Sequence, residues 1–362
     1  MILEQLLPAE TALKIVIYLL GIFTVLSIFV IAFTIALRVY HIIQNQRELR
    51  LKERFSTLFF QYLDNPDDPD VLSKLKAIRD KGAFFNFVLE YLNILKGEDF
   101  KSIMELIHIM GIPEELQRML ERRDRWQRAY AAFFLGYLKF KPALPQLLAA
   151  FRDRFFLVSF YAARSVIQIG DPHYYRDTLV HLFRIPHISS YQRMEALIEL
   201  DEEGLAVARE LFREWEELRE EVIKLFVDLF AYKKYLPAAE DILLKLLSAR
   251  NRELRISCVR ALGLLNYTEA IPILREMTRD QDWVVRSQVL RALGRIGDIG
   301  SMPEFLAAME EDNFWVRYNA GLALLDLGAV GIEQLRRIQQ DENHPAHEIA
   351  EQILVENKAM AA

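Results

Sequence analysis

No two cysteines can pair within this chain, because Cys258 stands alone among 362 residues. That excludes an intrachain disulfide framework and suits a reducing compartment. The signatures of the common chemistries are missing as well: there is no CxxC, no Walker loop and no HExxH. The run GLALLDLGAVG (321–331) holds several glycines, but it reads as helix and turn rather than as a dinucleotide fingerprint after a strand. No alternating strand pattern of useful length appears. An excess of basic charge is also lacking. The formal net charge is −6, and from Phe55 onward 39 Lys+Arg face 47 Asp+Glu. Phosphate backbones need clustered Lys and Arg, so this balance speaks against general nucleic-acid binding.

Two absences are local. Ile15 to Leu37 is 23 residues without a charge, and 16 of them are Leu, Ile, Val or Phe. A bilayer core takes about 20 such residues as a helix. At roughly −0.3 to −0.6 kcal/mol each, they sum to about −5 to −10 kcal/mol of insertion preference. A cleaved signal peptide would want a basic start and a shorter apolar run, whereas Glu4 and Glu10 precede Lys14 here. After the run come Arg38, Arg47, Arg50, Lys52 and Arg54. Basic residues stay cytoplasmic, so the expected topology is a single span in the inner (cytoplasmic) membrane, N-terminus out. The flanking cations read as ordinary positive-inside residues, or as contacts to anionic headgroups. Gly21, Ser27, Ala32 and Ala36 offer a small-residue face of a common kind. Neither Pro nor Gly occurs between Gly21 and Pro66, which lets the helix run on beyond the span. The expected layout is a tail (1–11), a span (12–37), a juxtamembrane helix (38–63), degenerate helical repeats (71–122) and a repeat array (123–357). The break DNPDDPD (64–70) precedes a helix expected at Val71–Asp80, capped by Asp70 and stopped by Lys81-Gly82. The tail from Lys358 is expected to fray.

What is present is a repeat. Arg255, Arg286 and Arg317 stand 31 residues apart. Four residues before each lies Asn251, Asp282 or Asn313, a side chain that caps a helix N-terminus. Ala261, Ala292 and Ala323 follow at +6, Leu262, Leu293 and Leu324 at +7, and Gly263 and Gly294 at +8, with Leu325 departing. Pro272 and Pro303 come at +17, where a second helix would start. Asp124, Arg128, Leu135, Gly136 and Pro145 keep the same spacing earlier, and one period on Ser159 replaces the arginine. Units near Tyr191–Leu200 and Leu218–Leu229 are blurred, giving six or seven in all. One hairpin of about 31 residues cannot bury its own apolar stripe, so copies must stack.

The segments NRELRISCVRALGLLNYTEAIPILREM (251–277), DQDWVVRSQVLRALGRIGDIGSMPEFLAAM (280–309) and DNFWVRYNAGLALLDLG (312–328) resemble bacterial HEAT repeats of the short, PBS-lyase-type kind. The resemblance implies an all-α, right-handed α-solenoid of antiparallel helix pairs. It fixes architecture rather than activity. Members of this fold include enzymes acting on DNA bases or attaching bilins. An enzyme of the DNA-glycosylase or bilin-lyase kind is therefore one alternative, and a homo-oligomeric scaffold is another.

Arg128, Arg255, Arg286 and Arg317, with Asp124, Asn251, Asp282 and Asn313, read as a structural ladder tying neighbouring repeats. Trp126, Trp283 and Trp315, near the starts of first helices, read as seam covers, with partner contact the lesser reading. Arg118, Arg122, Arg123 and Arg125, with Arg128, form a basic stripe, either a solvated face or a docking patch for a phosphate, lipid or acidic partner. His344, His347 and Glu348 lack a third placed ligand, so no metal site is expected, and no cofactor either. Glu216, Glu217, Glu220, Glu221, Glu310, Glu311 and Asp312 read as solvated carboxylates. The expected function is that of a non-catalytic, membrane-anchored adapter. Its partner would be a protein at the cytoplasmic face, such as an envelope or polysaccharide-synthesis enzyme or a signalling protein.

Overall fold

A computed structural model describes residues 9–92, 94–214 and 219–361. The described residues hold helices and turns but no strand. The chain divides into two compact units, Met1–Glu114 and Glu115–Ala362.

The first unit is organised by α1 (Ala9–Asp64), one unbroken helix of 56 residues. Its two ends obey different rules. From Ile17 to Leu37 it is apolar on every side, and none of the span to Tyr40 is buried. Near its end the pattern becomes amphipathic: Phe55, Leu58, Phe59 and Tyr62, spaced as one helix face, are all buried. They pack on α3 (Lys81–Leu92), where Phe84 meets Phe55 edge-on at 5.3 Å and Phe87 meets Phe59 at 5.6 Å. The sequence break falls as expected, but its caps sit elsewhere. Asp68, not Asp70, caps α2 (Pro69–Lys76), accepting from the amides of Asp70 and Val71. Pro69 occupies the first turn, where a missing N–H costs little. Lys81-Gly82 does not stop that helix. It opens α3, with Asp80 accepting from the Ala83 amide at 2.9 Å. Helices α4 (Glu98–Ile109) and α5 (Ile112–Met119) follow, divided by Gly111 at φ 65°.

The second unit is a stack of helix pairs. The pairs are α6 (Arg125–Tyr137) with α7 (Leu144–Ala150), α8 (Phe156–Ile169) with α9 (Tyr175–Arg184), and α10 (Ser190–Leu197) with α11 (Glu202–Glu214). Then come α12 (Glu220–Tyr232) with α13 (Ala239–Ser248), α14 (Arg252–Leu264) with α15 (Ile271–Met277), α16 (Trp283–Ile296) with α17 (Met302–Ala308), and α18 (Phe314–Asp326) with α19 (Ala329–Gln340). The last helix, α20 (His347–Ala361), packs on α18 and α19. Its backbone is helical beyond Asn357, where fraying was expected. First helices of successive repeats lie against one another, and their Leu135, Val166, Leu262, Leu293 and Leu324 are completely buried.

Small residues set how closely those helices approach. A Cβ on Gly263 would lie 2.7 Å from the Ala292 Cα, and one on Gly294 would lie 2.6 Å from the Ala323 Cα. The +8 glycine of one repeat therefore sits on the +6 alanine of the next. Gly136 does the same against Ser165, whose hydroxyl donates to the Ala132 carbonyl at 2.6 Å.

In every repeat but α10–α11, where the matching position, Gly204, lies within α11, the inner turn has its own rule. Eleven residues after the ladder position the backbone is left-handed at Lys139, Gly170, Lys234, Asn266, Gly297 and Gly328. A left-handed residue lets a helix end and its last carbonyls find amides. Glycine takes that conformation freely, while lysine is strained there. A short 3-10 turn then leads into most second helices, and Pro145, Pro272 and Pro303 stand in their first turns.

Candidate interaction surface

Each ladder arginine grips the turn before it and, among the described residues, all but Arg317 also reach an acid. Its Nη1 donates to carbonyls five or six residues back: Arg128 to Arg122 and Arg123, Arg286 to Asp280 and Gln281, Arg317 to Glu311 and Asp312. Arg255 donates likewise to Arg250. The other nitrogens of Arg128, Arg255 and Arg286 reach a carboxylate 25 residues ahead, in the turn leading to the next repeat. Arg128 pairs with Asp153 through bonds of 2.7 and 3.0 Å, and Arg286 with Glu311 at 2.6 Å. Arg255 stands 3.6 Å from Asp280. The relay closes because the Asp280 and Glu311 carbonyls accept from the following arginine. Asp124, Asn251, Asp282 and Asn313 cap α6, α14, α16 and α18 through their side-chain oxygens.

These pairs shift ionisation in the expected sense. Burial works to raise the Asp153 carboxyl, but the Arg128 bond and the Phe155 amide together carry it below the ordinary value. The Glu311 bond raises the Arg286 guanidinium. Glu311 is thus a structural partner, not the solvated carboxylate expected from sequence. Glu220 likewise accepts from the Asn251 amide at 2.7 Å. Glu216 and Glu217 lie outside the described residues. Cys258 is buried, and burial, with Asp228 behind it, pushes its thiol up to about 12.

The basic stripe does not lie on one helix. Arg118 belongs to α5, Arg122 and Arg123 to the turn after it, and Arg125 to α6. Glu115 takes both Arg118 and Arg122 at 2.9 Å. Arg125 lies over the rings of Phe155 and Trp126, at 4.9 and 5.7 Å. Trp126 does reach the next repeat, meeting Phe155 at 5.1 Å, yet it remains 58% exposed. Trp315 packs on Phe314 and Tyr318 of its own helix and is 55% exposed. Trp283 is exposed as well.

Near the N-terminal helix, Arg38 and Arg54 are exposed. Lys52 is paired with Glu90 of α3 at 2.5 Å, so one flanking cation serves the fold. The side chains of Arg47 and Arg50 lie outside the described set. So do residues 1–8, most of the expected tail. His344 accepts from the Ala346 amide through Nδ1, and no group of three metal-ligating side chains occurs among the described residues.

Residues 240–325 match the family of HEAT repeats. This is a HEAT-like repeat array. No curated protein matches the chain. Among solved structures, YibA of Escherichia coli is 14% identical, with a TM-score of 0.39, over 73% of this chain and 97% of that one. The CpcE–CpcF complex of phycocyanin lyase from a Nostoc species is 18% identical, at 0.30, over 66% and 94%. A karyopherin bound to a SUMO protease is 12% identical, at 0.42, over 83% of this chain and 45% of the karyopherin.

Within the HEAT-like array the spacing of arginines hid three ladder elements. Arg193 stands four residues after the cap Ser189 and donates to the carbonyls of Ile188, Ile185 and Leu182 at 2.6, 3.0 and 3.4 Å. It is the ladder arginine of a blurred repeat, and the Ser-x-x-Gln box of 189–192 was its visible signal. At Ser159 the rung is rebuilt. Its hydroxyl donates to the Phe151 carbonyl at 2.9 Å and lies 2.8 Å from His181 Nε2, while the His181 ring stacks on Phe151 at 4.3 Å. Burial, with Arg184 second, holds His181 below the ordinary histidine value. A second row sits five residues after the first: Arg164 pairs with Glu199, Arg260 with Asp228, and Arg291 with Asp326.

Proposed function

We propose that this protein is a membrane-anchored adapter whose HEAT-like array holds a partner protein beside the bilayer. One observation carries the anchoring: α1 is apolar all round from Ile17 to Leu37 with none of it buried. Water would leave such a helix to aggregate, and hydrocarbon satisfies it, because all its backbone bonds are internal. Cleavage as a signal sequence fits poorly, since α1 stays helical through the region where a peptidase needs extended chain and ends in the first unit's core. Basic residues follow the span, which supports a cytoplasmic array. Nothing in the ladder is poised for chemistry. Its arginines and carboxylates neutralise one another, and its one thiol is buried and held protonated. Anchoring confines the array and a membrane partner to one surface, which raises their effective concentration.

The test combines carbonate extraction of cell membranes, protease digestion of intact and inverted vesicles, and in-membrane crosslinking read by mass spectrometry. The full-length chain should resist extraction, lose its array to protease only in inverted vesicles, and crosslink reproducibly to one membrane protein. Release by carbonate overturns the anchor. Digestion from the outside overturns the topology. Crosslinks only between copies of this chain convert the adapter into a homo-oligomeric scaffold.

A further inference from the structure

The chain is acidic overall, yet one edge of the second unit is not. The turn before α6 and the turn before α8 lie side by side, because Arg128 holds the Arg123 carbonyl and the Asp153 carboxylate at once. Around that staple stand Arg123, Arg125, Arg152 and Arg154, all exposed. Most of the nearby acids are already used, Glu115 by Arg118 and Arg122, Asp153 by Arg128 and Asp124 by the α6 amides, and exposed Glu121 remains. The side chains of Arg123, Arg152 and Arg154 make no hydrogen bond or ion pair among the described residues. Between the cations runs a line of rings, from Trp126 to Phe155 at 5.1 Å, to Phe156 at 5.6 Å, to His187 at 6.1 Å. Arg184 and Tyr191, both exposed, continue the edge at the turn before α10. The equivalent turn before α18 is the reverse, with Glu310, Glu311 and Asp312 beside Phe314 and Trp315.

We infer that this edge binds an extended acidic segment of a partner protein. Helices pack about 8–10 Å apart, so successive turns present cation and ring at about that interval. An extended peptide rises about 3.3 Å per residue, which places every third residue at a new turn. The complementary sequence therefore carries Asp or Glu about every third position, with apolar or aromatic residues between them to lie on Trp126 and Phe156. Arginine suits both tasks, forking onto carboxylates and stacking on rings. The rigid staple pre-organises the backbone that carries these side chains, which lowers the cost of binding. This inference rests on the adapter reading and names the chemistry of its partner.

The test places the full-length protein in phosphatidylcholine nanodiscs and measures anisotropy of a fluorescein-labelled 12-residue peptide with Glu at every third position and Phe between. Micromolar binding is expected. The doubly reversed variant Arg123→Glu/Arg154→Glu should weaken it more than tenfold, and Trp126→Ala about threefold to tenfold. Arg336→Glu, an exposed change on α19, should stay within twofold. Helical circular dichroism should be unchanged in all three variants, since none of these side chains bears on the core. Absence of wild-type binding, or an equal loss with Arg336→Glu, overturns the inference. So does a binding surface seen only against phosphatidylglycerol nanodiscs, which assigns the edge to lipid instead. The assay needs no cellular partner, so its failure leaves the crosslinking result to judge the adapter reading separately.

Discussion

The repeats from α14 to α19 and those from α8 to α13 share one architecture but are held by different means. In the later group Gly263 and Gly294 meet Ala292 and Ala323, each ladder arginine grips the turn before it, and Arg255 and Arg286 also reach an acid ahead. In the earlier group Ser159 and His181 replace one rung, Arg193 makes another from carbonyls alone, and Ile223 stands where a rung would be. Bulk takes over what polar stapling no longer does: Phe183, Phe212, Phe226 and Phe230 form a ring cluster there, with centroids 5.1–6.1 Å apart. A solenoid tolerates such substitution because each repeat answers only to its neighbours. Where a glycine meets the next helix this closely, as at Gly263 and Gly294, close approach forbids variation.

That contrast can be broken most severely at a glycine contact. Gly294→Val should cost about 2–4 kcal/mol, because its side chain meets the Ala323 backbone 2.6 Å away rather than a movable tip. Urea unfolding should show it, and a loss below about 1 kcal/mol would mean the interface is loose. The rungs come next. Arg193→Met should cost about 1–3 kcal/mol, since it strands three carbonyl acceptors at a half-buried turn. Arg317→Met, which has no carboxylate opposite it among the described residues, should cost about 1 kcal/mol. Equal losses would show that the blurred repeat is stapled no differently from the regular ones.

The Ser159–His181 rung carries a pH signature near neutrality, whereas the depressed Asp153 carboxyl of the Arg128 rung responds only in acid. A histidine held below its free value of 6.5 favours folding when neutral. Its contribution is complete above that value and fades as pH falls through the lower folded value. Melting temperature should therefore drop between pH 7 and pH 5, and His181→Gln should flatten that part of the profile. The gentlest test is a gain. Lys139→Gly relieves a left-handed lysine at φ 49° and should stabilise by about 0.5–1 kcal/mol. The same change at Gly297 is unavailable because nature already made it.

Much of this was readable in one dimension. The caps Asp124, Asn251, Asp282 and Asn313 were legible because a cap acts on amides two and three residues away, and so was the stacking period. The acids Asp153, Asp280 and Glu311 were not, although they recur 25 residues after Arg128, Arg255 and Arg286. Carboxylates are common enough that one more at any offset says little. Arg193 was missed because α9 before it runs ten residues, against seven in α7, α15 and α17, and so stretches the period from 31 to 34. The left-handed position was half visible: Gly170, Gly297 and Gly328 mark it, but Lys139 and Lys234 obey the turn without advertising it. The basic stripe was seen as a helix face, and only folding showed it to be the meeting of two turns with Phe155 between them.

By itself the sequence determined the helical period, the capped starts of the first helices and a charge-free run long enough to span a bilayer. Each of these is set by neighbours within a few residues or by composition alone. Tertiary structure decided which carboxylate an arginine takes, which glycine touches which alanine, and that Arg125 lies over Phe155 of the next repeat. Those choices depend on residues about 25 to 35 positions apart, brought together only when one hairpin stacks on the next.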